Sequence, residues 1–342
     1  MPRSISVIIV TWNALEHLQS FLPSVTETHY EDFEIIIADN ASEDDSVDWI
    51  RKNYPECKIV TYTENFGYCG GNNRAVEYAS GEILVFLNND VETDPDWLTH
   101  IEPLFEDPQT SAVQPKIRSY KHRNEFEYAG AAGGFLDKLG YPFCRGRIFD
   151  TIEKDQGQYD KVVPLFWASG AAFAVRKEIF TELGKFDEDF RFHMEEIDFC
   201  WRLLNNGFTV RFAPESIVYH LGGGSLPMDS SRKTFYNFRN SLIMLWKNSS
   251  NTWLKKYFFP RLCMDGVAAF YAIIKGNFSD ALAIFKAHIH FFMRWRQTHI
   301  KRRQLKNTEN PDLMADYYII FEYFIRGKKT YNEIESSRLN AK

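Results

Sequence analysis

Through its first third, this chain alternates short apolar runs with helical patterns, and that alternation limits the folds open to it. Residues 5–10, 33–38, 57–62, 83–87 and 112–117 are rich in Ile, Val and Leu and read as buried strands. Residues 14–25, 42–53 and 72–79 read as helices between them, and a further helix starts at Pro95 behind Asp94. Strand and helix in strict turn, with short connections, imply a parallel sheet with helices on both faces. Ligands of such sheets bind outside the carboxyl ends of the strands. Here those ends read Thr11-Trp12-Asn13, Asp39-Asn40-Ala41-Ser42, Asn65-Phe66-Gly67 and Asn88-Asn89-Asp90. They are mostly small and polar, as a nucleotide pocket requires.

The rest of the chain is patterned differently. Residues 119–160 are Gly-rich and weakly periodic, and read as loops with a hairpin. Residues 162–175 read as a strand interrupted at Ser169-Gly170, and 195–206 as a helix ended by Gly207. Residues 208–212 and 217–220 read as two short strands. From 231 to about 303 the pattern is helical, with breaks near 249–252 and 276–279. The expected organisation is a catalytic α/β domain over 1–230 and a helical segment over 231–342.

Charge divides at the same place. The formal net charge is −6, yet residues 232–306 hold 15 Lys and Arg against two acids, Asp265 and Asp280, while residues 1–231 hold 20 bases against 38 acids. Such asymmetry marks an interaction surface. The five cysteines are scattered without a C-x-x-C pair, which argues against a disulfide framework or a zinc ribbon and for reduced thiols in the cytoplasm. No secretory signal is visible. Nor is there an uninterrupted apolar run of about 18 residues, the span of a membrane. The best, 266–274, is short and is flanked by Arg261, Asp265 and Lys275.

Three clusters carry chemistry. Asn88-Asn89-Asp90 directly follows an apolar strand, where a carboxylate can hold Mg2+ or Mn2+ against a diphosphate, although Asn and Asp also favour plain turns. His193-Met194-Glu195-Glu196-Ile197-Asp198 places three acids among aromatics at a helix start. At least one of them is expected to face a cavity, where a carboxylate can take a proton from a hydroxyl. Tyr219-His220-Leu221-Gly222-Gly223-Gly224-Ser225 offers a histidine, structural or metal-ligating, beside glycines that let backbone approach a ligand.

Taken in order, these landmarks resemble the family-2 glycosyltransferases of GT-A fold, and most of all their rhamnosyltransferase-like branch. The matching residues are Val10-Thr11-Trp12-Asn13, 38–44, 65–72, 81–90, Gly184-Lys185-Phe186-Asp187-Glu188, 195–202 and His220. The resemblance implies a mostly parallel, Rossmann-like sheet. It places Thr11, Asn13 and Asp39 around the nucleobase, and Asn65, Gly67 and Asn72 along the ribose and diphosphate. Asn88, Asn89 and Asp90 take the place of the D-x-D motif, with Asn88 standing for its first Asp. Asp90 and His220 would hold the metal, Glu196 would be the catalytic base and Glu195 its acidic neighbour. Trp167, Ser169 and Gly170 would shape the sugar or acceptor pocket, with a core aromatic the other reading of Trp167. The implied activity is inverting transfer of a sugar, rhamnose from a dTDP donor first, to a hydroxyl of a saccharide or lipid-linked saccharide in cell-surface polysaccharide synthesis.

Two other functions remain to be weighed. A sugar nucleotidyltransferase usually carries a basic, Gly-rich loop after its first strand, and Thr11-Trp12-Asn13-Ala14 has no base. A non-catalytic membrane or assembly module is opposed by Asp90, Glu196 and His220 and kept open by Asn88. The basic, aromatic-rich residues 232–306 fit peripheral attachment to the inner face of the cell membrane, or packing on the catalytic domain or a second subunit, rather than nucleic acid.

Overall fold

The computed structural model describes residues 2–222 and 231–339. Gly223, Gly224 and Ser225 lie outside the described residues. The strands are β1 (Ile5–Thr11), β2 (Phe33–Asp39), β3 (Lys58–Thr61), β4 (Ile83–Asn88), β5 (Val91–Thr93), β6 (Thr110–Ser119), β7 (Gly134–Leu136), β8 (Pro142–Cys144), β9 (Arg147–Ile148), β10 (Thr151–Ile152), β11 (Pro164–Leu165), β12 (Ala172–Arg176) and β13 (Thr209–His220). The helices are α1 (Leu15–Thr26), α2 (Ser46–Asn53), α3 (Gly67–Ala75), α4 (Trp97–Ile101), α5 (Lys177–Glu182), α6 (Glu195–Asn205), α7 (Ser231–Asn248), α8 (Asn251–Ile274), α9 (Phe278–Gln304) and α10 (Tyr331–Leu339).

The main sheet runs β11-β13-β6-β12-β4-β1-β2-β3, with β5 paired to β13. Side chains alternate faces along a strand, so β1 feeds two cores. Val7 and Ile9 pack with Leu18 and Trp97 on one face. Ile8 packs with Phe86, Phe173, Phe199 and Trp201 on the other. Both faces are covered, which is why the strands read as continuous apolar runs.

The sheet is mixed rather than wholly parallel. β1, β2, β3 and β4 are parallel neighbours, and so are β6 and β13. β12 lies antiparallel between β4 and β6. Its first residue, Ala172, sits opposite Leu87 at the carboxyl end of β4. A strand that enters at that end can only run back. An unbroken apolar strand carries no sign of its direction, so the sequence pattern could not distinguish the two cases.

Other boundaries also differ from the sequence reading. α3 begins at Gly67, five residues before the expected start at Asn72. Its glycines look like loop but serve close packing: a Cβ on Gly71 would lie 2.9 Å from both Val10 Cγ1 and Asn40 Nδ2. α4 starts at Trp97 instead of Pro95. The two strands expected over 208–212 and 217–220 are one strand, β13 (Thr209–His220), whose pairing with β6 slips between Ala213 and Ile217. The stretch 119–160 holds a second sheet, β10-β9-β8-β7.

Helices α7, α8 and α9 break where the sequence breaks. One apolar core runs from the sheet through α6 into Leu242, Ile243, Met244 and Leu245 of α7 and on to Phe258 and Phe291. Ion pairs reinforce it. Lys247 lies 2.8 Å from both Asp187 and Asp198. Lys301 lies 2.5 Å from Asp187 and 2.6 Å from Asp189, and Arg294 lies 2.7 Å from Asp189. Much of the basic charge is therefore spent inside the protein. α8 is long and apolar enough, by length and composition, to cross a membrane. The sequence reading found no such segment because Arg261 and Asp265 interrupt it, but both are buried on the side of α8 that packs on the protein.

Candidate active site

Parallel register brings the first predicted residues side by side. Thr11 is opposite Asp39, and Val10 is opposite Asn88, at the carboxyl ends of β1, β2 and β4. Asn13 folds over this edge: its N–H donates to Ser42 Oγ (2.9 Å), and its Oδ1 accepts from Glu43 N–H (2.7 Å). One oxygen of Asp39 accepts from Ser42 N–H (3.1 Å), while Oδ1 is buried and unpartnered. Beside Asp39 opens a cleft of about 480 Å³, lined also by Ser42, Thr61 and Tyr62. Asn40 Nδ2 donates to Gly67 O (3.1 Å), tying this edge to the start of α3. Asn65 Oδ1 accepts from Gly67 N–H there (2.8 Å). Asn72 is buried and donates to Tyr68 O (3.0 Å), so its amide is engaged within α3.

The turn between β4 and β5 forms the second part. Asn89 Nδ2 reaches Thr11 Oγ1 at 3.4 Å. β5 pairs with the end of β13, placing Val91 opposite His220. The Asp90 carboxylate therefore meets His220 Nε2 at 3.1 Å, with Asn88 Nδ2 at 3.5 Å. Both Asp90 and His220 are buried. On the far side of the ring, the Glu127 carboxylate lies 3.5 Å from Nδ1. Burial alone would push the imidazole down, but Asp90 and Glu127 outweigh it and push it up to about 10. Burial likewise acts to raise the Asp90 carboxyl, and His220 more than offsets this, holding it below its ordinary value. Sequence reasoning missed Glu127. It sits in the weakly patterned stretch, and only the fold brings it to His220.

The third part is the start of α6. His193 and Met194 have left-handed backbone (φ 64° and 75°), which turns the chain sharply into the helix. α7 holds this turn in place. Asn240 Nδ2 donates to the carbonyls of Phe190 (3.0 Å), Phe192 (2.6 Å) and His193 (2.8 Å), and Arg239 donates to that of Asp189 (2.9 Å). Glu195 and Glu196 each keep one buried, unpartnered carboxylate oxygen. Burial pushes Glu196 up to about 7, against backbone N–H groups at the helix start that pull it down. Burial and the neighbouring Glu196 raise Glu195 well above its ordinary value. Asp198, the third acid of the run, is committed elsewhere: it pairs with Arg202 and Lys247 and accepts from Asn248.

These parts converge. A Cβ on Gly67 would lie 3.6 Å from Arg191 O, so the turn before α6 faces the start of α3. The buried Cys144 thiol, pushed up to about 11 mainly by burial, also feels both the Glu127 and Glu196 carboxylates. Tyr68 Oη donates to Gly170 O (2.8 Å), and its ionisation is opposed by burial and then by Glu195. Gly170 thus borders the acidic pair. Trp167 is buried, donates to Phe135 O (3.0 Å) and lies against Gly134, where a Cβ would approach its ring to 1.9 Å. Ser169 is buried and donates to Ala129 O (2.6 Å). Trp167 and Ser169 support the wall rather than present free polar groups to the cleft.

Comparison with known proteins gives this arrangement a context. A relative from Myxococcus xanthus, described as O-antigen biosynthesis protein RfbC, is 27% identical over 236 residues, covering 68% of this chain and 18% of that protein. The chain spans less than a third of the first two relatives it matches, 18% and 27% of their lengths. The N-acetylglucosaminyl-diphospho-decaprenol L-rhamnosyltransferase of Mycobacterium tuberculosis is 24% identical over 271 residues, covering 74% of this chain and 87% of that one. Among solved structures, a mannosyltransferase from Pyrobaculum calidifontis in complex with GDP-Man and Mn2+ aligns with a TM-score of 0.53 and 17% identity, covering 89% of this chain and 85% of that one. That likeness establishes the GT-A-like fold. Residues 6–184, more than half of the chain, match the family model described as glycosyl transferase family 2, and the chain belongs to that family.

Proposed function

We propose that this chain is an inverting glycosyltransferase that moves rhamnose from a dTDP-linked donor to a hydroxyl of a saccharide or lipid-linked saccharide. The carrying observation is the half-buried Glu196, whose carboxylate keeps one buried, unpartnered oxygen and whose proton affinity is raised to near neutrality, in the same site as the Asp90–His220 pair. A base with a pKa near the working pH combines availability with proton-transfer drive. Glu196 takes the proton of the acceptor hydroxyl, whose oxygen bonds to the anomeric carbon as the bond to the leaving diphosphate breaks on the opposite face. One displacement inverts the configuration. Asp39, with its unpartnered Oδ1 beside the cleft, recognises the nucleobase. The O-antigen and rhamnosyltransferase descriptions of the relatives support the sugar, the lipid-linked acceptor and a place in cell-surface polysaccharide synthesis.

Asp90 and His220 suit a divalent cation: a carboxylate oxygen and an imidazole nitrogen, both buried, face each other at 3.1 Å. Among the described residues no three His, Cys, Asp or Glu side chains are grouped to hold an ion alone. The protein would therefore supply two ligands and the donor's phosphates and water the rest, as is usual for Mg2+ and Mn2+. When bound, the ion acts as a Lewis acid toward the leaving diphosphate. The Glu127 carboxylate, 3.5 Å from Nδ1, would orient the His220 ring by charge attraction, leaving Nε2 for the ion. Glu127→Leu is expected to weaken Mn2+ affinity about 10- to 100-fold, as loss of such supporting partners does. Titration of bound Mn2+ by electron paramagnetic resonance in the presence of dTDP measures this directly, and unchanged affinity would remove Glu127 from the assignment.

The test of the function is a mass-spectrometric screen of nucleotide sugars with Mn2+ and with phosphate-linked lipid acceptors. The expected product is a rhamnosylated acceptor of inverted anomeric configuration, with Asp90→Asn at the background level. Turnover of a different donor would replace the sugar, and inertness with every donor would defeat the enzymatic reading.

A further inference from the structure

Helices α8 and α9 each carry two apolar faces, and the protein covers only one of them. On α9 the buried positions Ala283, Ile284, Ala287, Phe291, Thr298 and Arg302 form the inner face. Phe278, Leu282, Phe285, Ile289 and Phe292, spaced by four, three, four and three, form a stripe on the opposite, exposed face. α8 repeats the arrangement. Trp253, Phe258, Arg261 and Asp265 face inward, while Phe259, Val267, Phe270 and Ile274 are exposed. A helix apolar on all sides belongs in a core or in lipid.

Where the hairpin leaves the body is equally clear. Arg261 donates to the carbonyls of Leu139 and Gly140 (3.2 Å each), and Asp265 accepts from Arg261 (3.0 Å) and Tyr141 Oη (2.7 Å). Beyond this anchor no residue from 266 to 282 is buried. Phe270, Ile274 and Phe278 are 63%, 65% and 66% exposed. The turn between the helices is thus a projecting apolar tip.

We propose that this tip and the outer faces of α8 and α9 insert into the interfacial layer of an anionic lipid bilayer. Charge selects this occupant over a second copy of the chain. Lys255, Lys256, Lys275, Lys286, Arg296 and Arg303 are exposed around the apolar surface. Of the two acids on these helices, Asp265 is buried and Asp280 is bonded to Thr234 (2.8 Å) and Asn277 (2.5 Å). Two copies meeting through this surface would bring two basic rims together, which is repulsive; anionic headgroups match it. The helices lie in the layer and do not cross it. The free part of α8 beyond Asp265 rises roughly 14 Å, against a hydrocarbon core of about 30 Å. The surface also adjoins the active site. Thr234, bonded to Asp280, follows Lys233, which lies over the ring of Tyr128, the neighbour of Glu127.

Flotation of the full chain with vesicles tests this independently of any transferase activity. The wild type is expected to float with phosphatidylcholine vesicles containing phosphatidylglycerol, and less with phosphatidylcholine alone. The F270E/I274E/F278E variant, altered only at exposed positions, should bind about tenfold more weakly or less, because apolar burial and charge act together at interfaces. Its circular dichroism should match that of the wild type. A wild type that does not float, flotation unchanged in the variant, or a stable dimer in analytical ultracentrifugation that the variant dissociates would each overturn the proposal.

Discussion

Glu196→Gln is expected to lower kcat by about 10²- to 10⁴-fold, the usual worth of a positioned general base, while leaving donor binding intact. The change keeps the shape and removes only the ability to take a proton. Because burial pushes this carboxyl up to about 7, the proposed transfer by the wild type should show an acid limb near that pH. The sign follows from the role: the base works deprotonated, so kcat/KM rises with pH and levels off once Glu196 has lost its proton. Calorimetry with dTDP should give the same affinity for wild type and variant. A full loss in Glu195→Gln with little effect of Glu196→Gln would move the base one residue earlier. Retention of activity by both variants would leave the acidic pair without a chemical role.

Lys247→Met carries the largest expected effect on stability, a loss of about 3–5 kcal/mol, because it leaves buried carboxylates without their cation. Lys247 bridges Asp187 and Asp198 from α7 and is itself buried. Arg202 and Asn248 still contact Asp198, and Lys301 still contacts Asp187, so the lower half of that range is the expectation. Lys301→Met should cost less, since Lys301 is partly exposed and leaves Asp187 with Lys247. Burial acts to raise the Asp187 carboxyl, but Lys247 and Lys301 overcome it and hold it well below the ordinary value. A carboxyl depressed in the folded state contributes stability that is present above its unfolded pKa, about 3.9, and lost as pH falls. Urea unfolding at neutral pH and at about two pH units below that value should therefore show a shallower acid loss in Lys247→Met than in the wild type. Equal stability of variant and wild type at neutral pH would contradict the account.

What the sequence made legible follows the reach of its signals. Apolar runs ending in small polar residues located Thr11, Asp39 and Asn88 on neighbouring strands, because in a parallel sheet the ends of successive strands line one edge. The run 195–198 could be singled out because three acids stood among aromatics at a helix start, whereas the choice of Glu196 within it rested on the family resemblance alone. Which acid does what was not legible: Asp198 differs from its neighbours through Lys247, Asn248 and Arg202, distant or ambiguous in sequence. The direction of β12 was hidden for a similar reason, since buried parallel and antiparallel strands share one composition. Glu127 was invisible because its partner is supplied by a strand formed much later in the chain. The basic segment was read correctly as charge and incompletely as surface, since Arg239, Lys247, Arg261 and Arg302 are buried.

The bonds from Arg239 and Asn240 to the carbonyls of the turn at 189–193 bear on how this protein can be dissected. A fragment cut at the charge boundary near residue 230 would be soluble by composition, yet the turn that aims Glu195 and Glu196 would lose the donors that hold it. The smallest fragment that keeps these donors extends through α7, and any chimera that exchanges C-terminal helices between relatives has to carry its own partner for that turn.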